Sequence, residues 1–153
     1  GVTVDDLRPV MQVRTKLADY KQLPAGRGIS YGRTFVPDEP TWIGVMPLGY
    51  ADGYPRSFSD RAHVLKGGRT CPVLGRVCMD MTIIELDEQD DPEETVTVMG
   101  RDGPNELWAT QLADWHDTIP YEILCSFSQR LPRIYLRDGE AIALKTEKTI
   151  QSL

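Results

Sequence analysis

The tyrosine of the segment GRGISYGRTF, residues 26–35, has the surroundings of a residue that could transfer a proton. Tyr31 lies between Arg27 and Arg33 and has glycines close to it on both sides. A free phenol has a pKa of about 10, so it is a poor base at neutral pH unless nearby positive charge favours the phenolate. The segment therefore predicts either a catalytic phenol or an aromatic side chain that packs on a core where a strand begins.

Thiol and metal chemistry have little support in the sequence. The three cysteines, Cys71, Cys78 and Cys125, cannot all pair with one another, and their spacing matches no zinc pattern. The two histidines, His63 and His116, are each far along the chain from a second candidate ligand. We expect no metal site and no thiol catalysis, with free thiols in a reducing cytoplasm and with Cys78 and Cys125 as small buried residues.

Composition limits the partners that the chain can have. It has 153 residues, of which 41% are hydrophobic and 26% charged, as expected for one globular domain. The net charge is −6, and much of the acid lies in ELDEQDDPEE, residues 85–94, which predicts a solvated loop and disfavours nucleic acid. No apolar run approaches the roughly 20 residues of a membrane helix. The first residues, GVTVDDLRPV, also lack the basic and apolar stretches of a secretory signal. We expect no membrane partner, and the free thiols predict a cytoplasmic location.

The elements that must position these residues are mainly β-strands. In VMQVRTKLADY the apolar Met11, Val13 and Leu17 alternate with polar residues, a period that predicts a half-buried strand. Pro72 predicts an edge or a bulge, and Asp138-Gly139 predicts a tight hairpin turn with positive φ angles. Further predicted strands are TWIGVMPL (41–48), a hairpin from HVL (63–65) into one long strand TCPVLGRVCMDMTIIEL (70–86), TVTVM (95–99), and the hairpin RIYLRDGEAIAL (133–144).

One region has the pattern of a helix. LWATQLADWHD places Leu112 and Trp115 three residues apart, and TIPYEILCSF has Pro120 in the first turn and Glu122 near the positive end of the helix dipole. Many short strands with one helical insert, near residues 107–127, predict an antiparallel, barrel-like β domain.

Four segments occur in order along this framework: ISYGRTF, GYADGYPR, GRVCMD and PYEILCSFSQRLPRIY. Together they closely resemble the C-terminal domain of bacterial alanine racemases, from about Leu7 to about Leu144. The resemblance implies that residues 1–153 form the β domain of a two-domain subunit, and that the preceding α/β barrel, which carries pyridoxal phosphate and its lysine, is absent from this chain. It also implies a homodimer whose active sites are completed between subunits, and L- to D-alanine interconversion for peptidoglycan synthesis.

The resemblance assigns a role to Tyr31. Racemisation at Cα requires a proton to leave one face and another to arrive at the opposite face, which two bases on opposite sides can do directly. In the family a lysine serves one face and the tyrosine of the SYG motif the other, so Tyr31 corresponds to the second base. The isolated domain is then expected to be inactive.

The other motif residues correspond to the substrate corridor and the cofactor site. By this match Tyr50, Arg56 and Arg76 line the corridor, Met79 lies beside the substrate carboxylate, Asp80 lies at the same mouth, and Tyr121 bonds the cofactor phosphate. Arginine and aspartate at a narrow mouth can select small zwitterions such as alanine, or can simply form structural ion pairs. The alternatives for Met79 and Tyr121 are side chains that fill the core.

Two other functions remain open at this point. The first is a racemase for serine or another amino acid, because the absent barrel builds most of the side-chain pocket in the family. The second is a non-catalytic barrel module that acts in oligomerisation or in binding a separate chain. An intact set of Tyr31, Tyr50 and Met79 favours the racemase.

Overall fold

A computed structural model of the protein describes residues 7–152, in which short β-strands predominate. The strands are β1 (Val13–Thr15), β2 (Asp19–Leu23), β3 (Thr41–Met46), β4 (His63–Lys66), β5 (Arg69–Pro72), β6 (Thr82–Leu86), β7 (Val96–Asp102), β8 (Asn105–Leu107), β9 (Arg133–Arg137), β10 (Glu140–Lys145) and β11 (Ile150–Ser152). Within the same range the helices are α1 (Ala109–His116) and α2 (Pro120–Ser126), and 3₁₀ turns cover Tyr31–Arg33, Tyr50–Asp52 and Arg56–Phe58. The prediction of a mainly β chain with a helical insert near residues 107–127 is confirmed.

The strands of the described residues pair antiparallel in three sheets. One has the order β1-β7-β4-β5 with β8 added on β7, the second is β2-β3-β6, and the third is β11-β10-β9. An isolated bridge between Val73 and Ile84 joins the edge at β5 to β6. On the other side only residues 16–18 separate β1 from β2, and Ala18 donates a hydrogen bond to Val45. The first two sheets thereby lie side by side, and both contribute side chains to the larger of two hydrophobic clusters.

The core draws side chains from both of these sheets and from the helices. Val64, Val98 and Ile84 are fully buried, and α1 and α2 add Leu112 and Ile123. Burial of these apolar side chains is the main stabilising contribution to such a domain. No helix within residues 7–152 has the length and hydrophobicity to cross a membrane.

The strand predicted over residues 70–86 is wrong in its middle. β5 ends at Pro72 and β6 begins at Thr82, and residues 73–81 between them form a loop that we call the Arg76 loop. Gly75 has a φ of 68° there, and its N–H donates to the Asp60 carboxylate instead of to a neighbouring strand. The edge predicted at Pro72 is confirmed, since β5 ends the first sheet.

The local turn predictions were more successful. Asp138 and Gly139 have φ angles of 52° and 86°, so the hairpin between β9 and β10 turns as predicted. Pro120 is the first residue of α2. The strand expected from Val10 to Tyr20 is divided, because β1 ends at Thr15 and the chain enters the second sheet at Asp19.

Lys66 is fully buried on β4, where a lysine needs partners for its charge. Its Nζ donates to the carbonyl oxygen of Asp91, 2.6 Å away, and to Oε2 of Glu94, 3.1 Å away. The guanidinium of Arg69 bonds the carboxylate of Asp90. The acidic segment, predicted to be a solvated loop, is therefore anchored to the sheet at these positions.

Lys66 and Glu94 differ in burial, so removing the charge of one should affect stability differently from removing that of the other. We expect Glu94→Gln to lower the free energy of unfolding by about 2 kcal/mol, because it leaves the buried ammonium with only neutral partners. We expect Lys66→Met to change it by less than about 1 kcal/mol, because the buried charge is removed and the half-exposed Glu94 carboxylate can reach water. Urea denaturation of both variants measures the difference, and a larger loss for Lys66→Met would contradict it.

Candidate functional site

The turn that carries Tyr31 lies on the Arg76 loop. The hydroxyl of Ser30 donates to the Arg76 carbonyl oxygen at 2.5 Å and lies 3.6 Å from the Cys78 sulfur. The Arg76 guanidinium lies against Gly32, at 3.7 Å from the position that a Cβ on this glycine would take. The SYG motif and the GRVCMD motif therefore meet in space, although Ser30 and Arg76 are 46 positions apart along the chain.

The backbone on both sides of Tyr31 is strained. Ser30 has a φ of 62° and a ψ of 178°, a conformation that is almost confined to glycine, and Arg33 has a φ of 47°. Such conformations persist only where surrounding contacts impose them, and here the Ser30 bond to the Arg76 loop is one such contact. Strain of this kind is common at functional sites, so the geometry supports a functional turn.

The side chain of Tyr31 points away from the core. Its residue is 71% exposed, and its hydroxyl makes no hydrogen bond to any of residues 7–152. The alternative of an aromatic residue that packs on the core is therefore wrong. The described residues also place no arginine in hydrogen-bond contact with the phenol.

The turn of Tyr50 is hydrogen-bonded to the same loop. The N–H of Tyr50 donates to the Cys78 carbonyl and the N–H of Ala51 to the Met79 carbonyl, each at 3.0 Å. A Cβ on Gly49 would lie 2.5 Å from the Met79 carbonyl carbon, so only glycine permits this approach. The structure thus brings Tyr50 and Met79 together.

Met79 is 53% exposed, which rules out the core-filling alternative for its side chain. Its carbonyl accepts from Ala51, whereas its N–H makes no hydrogen bond within residues 7–152. That N–H is free to donate to a carboxylate, which is the role that the family resemblance implies. Tyr50 is 44% exposed beside it.

Asp80 and Asp52 share one cation, Arg130, which sequence reasoning missed. Nη2 of Arg130 donates to Oδ1 of Asp80 at 2.8 Å, and its Nε lies 3.6 Å from Oδ1 of Asp52. The hydrogen bond to Asp80, together with the charge of Asp52, raises the pKa of Arg130. Arg130 belongs to the quoted segment PYEILCSFSQRLPRIY, but no local pattern there indicated these partners.

Arg56 and Arg76, the two arginines that the resemblance assigns to a corridor, differ in their surroundings. Arg56 is exposed on its 3₁₀ turn, and Arg76 is half-buried. The Arg56 turn is joined to the Arg76 loop through Ser59, whose hydroxyl donates to the Arg56 carbonyl at 2.5 Å and accepts from the Val77 N–H at 3.0 Å. Neither guanidinium forms an ion pair within residues 7–152, so the structural ion-pair alternative applies to Asp80 but not to these arginines.

Tyr121 projects from the first turn of α2 and is 75% exposed. The alternative of a side chain facing the core is wrong. Near the other end of α2, Ser126 donates to the Gly53 carbonyl at 3.0 Å, which ties the helix to the Tyr50 turn. A phenol hydroxyl that makes no hydrogen bond within residues 7–152 fits one contact to a phosphate, so the chain fits an accessory role in holding pyridoxal phosphate.

The burial of the cysteines agrees only in part with the prediction. All three are free, as predicted, but Cys125 is exposed and Cys78 is half-buried, so the prediction that both are buried is wrong for Cys125. Cys71 is the buried one, and burial raises the pKa of its thiol to about 11. A thiol with a raised pKa is a poor nucleophile, which agrees with a structural role.

The model of the alanine racemase C-terminal domain family matches residues 10–135. The chain belongs to this family. Among curated relatives, the alanine racemase of Thermodesulfovibrio yellowstonii is 44% identical over 142 residues, covering 92% of this chain and 39% of the relative. The alanine racemase of Halothermothrix orenii is 45% identical over 132 residues, covering 85% and 35%.

Solved structures agree with the sequence comparison. The alanine racemase of Bacillus anthracis with bound L-Ala-P superposes with a TM-score of 0.87 at 35% identity, covering 94% of this chain and 39% of that one. The enzyme of E. faecalis gives a TM-score of 0.80 at 42% identity, covering 84% and 34%. The chain therefore spans less than two fifths of the length of these relatives.

Proposed function

We propose that this chain is the C-terminal β domain of an alanine racemase and that it contributes Tyr31 as one of two catalytic bases. The observation that carries the proposal is the convergence of three motifs on the Arg76 loop, with the Tyr31 phenol exposed on a strained turn. The other base and the main cofactor site belong to a preceding α/β barrel. Three free thiols support a location in the cytoplasm.

In this proposal the residues of the chain bind the substrate and move its proton. The Met79 N–H donates to the substrate carboxylate, while Arg56, Arg76 and Asp80 admit a small zwitterion through the corridor lined by Tyr50. The phenolate oxygen of Tyr31 takes the α-proton of L-alanine on one face and returns a proton there in the reverse direction. Pyridoxal phosphate, when bound, supplies the electron sink that stabilises negative charge at Cα, and Tyr121 would hold its phosphate.

The exposed face supports assembly with a second subunit. Tyr31, Tyr50, Met79 and Met81 are each at least 44% exposed, a concentration of apolar surface that suits coverage by another domain. We propose that the barrel of a partner subunit covers this face in a head-to-tail homodimer, so that each active site is shared.

The proposed function is tested with the full-length protein that contains this chain. We expect it to interconvert L- and D-alanine with pyridoxal phosphate, and to act more slowly on serine, as measured by chiral chromatography. Faster turnover of serine or another amino acid would identify that amino acid, and not alanine, as the substrate. Absence of any racemisation by a fully loaded enzyme would favour the non-catalytic module.

The 153-residue chain alone is expected to be inactive. It offers a single phosphate contact in Tyr121, and its lysines match no cofactor-lysine motif. Mixing it with pyridoxal phosphate and borohydride, followed by mass spectrometry, should give only scattered, substoichiometric lysine adducts. A stoichiometric adduct at one lysine together with turnover of either enantiomer would contradict this division of the active site.

A further inference from the structure

Arg130 joins three segments that are distant in sequence. Its side chain contacts Asp52 of the Tyr50 turn and Asp80 of the Arg76 loop, and its own backbone lies between α2 and β9. The backbone N–H of Arg130 donates to Ser128, whose own N–H donates to the Asp52 carbonyl at 3.0 Å. The segment that follows α2 is thus attached to the Tyr50 turn by its main chain as well as by its guanidinium.

Of the two carboxylates that Arg130 contacts, Asp52 depends more on the arginine. Its side chain is only 8% exposed, and Oδ2 accepts the N–H of Gly49 at 3.0 Å, which closes the turn around Tyr50. A nearly buried carboxylate requires compensation for its charge, and Arg130 is the cation that contacts it within residues 7–152. Loss of Arg130 would therefore weaken the turn from inside.

We infer that Arg130 is a positioning residue, whose guanidinium fixes the Tyr50 turn against the Asp80 mouth of the substrate corridor. The inference rests on the proposed function, because the corridor is defined by that function. Arg130 touches neither Tyr31 nor the Ser30 contact that holds the Tyr31 turn on the Arg76 carbonyl. Its loss should therefore disturb substrate capture more than proton transfer.

Arg130→Gln in the full-length protein tests this inference, with Arg101→Gln as a matched control. Arg101 is also an exposed arginine paired with a carboxylate, that of Glu106, but it lies on the β7–β8 hairpin. We expect Arg130→Gln to raise KM for alanine about tenfold and to change kcat less than about twofold, because a charged hydrogen bond is lost at the corridor alone. Arg101→Gln should change neither.

Arg130→Lys separates geometry from charge. The lysine ammonium cannot reproduce the planar set of donors by which the Arg130 guanidinium reaches both Asp52 and Asp80. We therefore expect Arg130→Lys to reverse less than half of the increase in log KM that Arg130→Gln causes. Full recovery by lysine would show that only a positive charge is needed there and would overturn the positioning role.

Hydrogen exchange provides a measurement that does not depend on activity. In Arg130→Gln the amides of Gly49, Tyr50 and Ala51 should exchange about tenfold faster, while those of β3 keep their protection, because the opening is local. Uniform acceleration along the chain would indicate general destabilisation and would overturn the inference, as would unchanged exchange at these three amides. If the wild-type protein does not racemise alanine, the proposed function fails and hydrogen exchange alone decides the role of Arg130.

Discussion

The Tyr31→Phe variant of the full-length enzyme is expected to lose roughly 100-fold or more in kcat while KM changes little. The substitution removes only the hydroxyl, which is the group proposed to carry the proton. Tyr31 as a residue is 71% exposed in this domain and its hydroxyl makes no hydrogen bond within residues 7–152, so the fold should not depend on the hydroxyl. Steady-state kinetics in both directions, with a melting curve beside them, measure the effect.

Tyr20→Phe is the matched control for Tyr31→Phe. The Tyr20 hydroxyl donates to the carbonyl oxygens of Asp87 and Glu88, at 2.7 and 3.0 Å, on a part of the domain that holds none of the candidate site residues. Its loss should lower stability by about 1 kcal/mol and leave turnover unchanged. The two tyrosines should thus show opposite effects, and equal kinetic losses would contradict a special role for Tyr31.

The Gly53→Ala substitution is expected to cost about 4 kcal/mol of stability or more. Gly53 has a φ of 97°, and a Cβ there would lie 2.6 Å from the Phe127 Cα and closer still to the Ser126 carbonyl oxygen. Both neighbours are backbone, so neither can move without displacing the end of α2 from the Tyr50 turn. The variant should therefore be poorly folded and should lose activity together with stability.

Gly26→Ala isolates the contribution of the backbone angle. Gly26 has a φ of 76°, but a Cβ on it would meet nothing within 4 Å, so only the conformational penalty of about 1 kcal/mol applies. Urea denaturation of both variants gives the comparison. Similar losses at the two positions would show that the close approach of α2 to Gly53 does not limit the fold.

Features that depend on neighbouring residues in the chain were predictable from the sequence. The turn at Asp138-Gly139 and the start of α2 at Pro120 follow from backbone preferences, and both were predicted in place. The Arg76 loop was mistaken for strand because Asp60, which accepts the Gly75 N–H, is fifteen residues away and has no signature in the apolar pattern. The burial of Lys66 was missed for the same reason, since Glu94 and Asp91 reach it from another segment.

In the candidate site, too, the residues were predictable from the sequence but their long-range contacts were not. The residues of the SYG, GYADGYPR and GRVCMD motifs were named from the sequence by resemblance, and the structure places them around one loop. Their spatial relation depends on contacts such as Ser30 with Arg76 and Tyr50 with Cys78, which only the fold provides. Arg130 lies in the segment PYEILCSFSQRLPRIY, but nothing in the sequence indicated its role. Its two carboxylate partners, Asp80 and Asp52, lie 50 and 78 residues earlier in the chain.

Exchange of the α-proton in D₂O tests most directly whether Tyr31 is the base for one enantiomer. With the Tyr31→Phe enzyme, deuterium should still enter D-alanine through the lysine of the proposed barrel domain, and the labelled product should return mostly as D-alanine. Entry of deuterium into L-alanine should be slower than in the wild type by roughly 100-fold or more. Equal entry into both enantiomers at wild-type rates would show that Tyr31 does not transfer the proton.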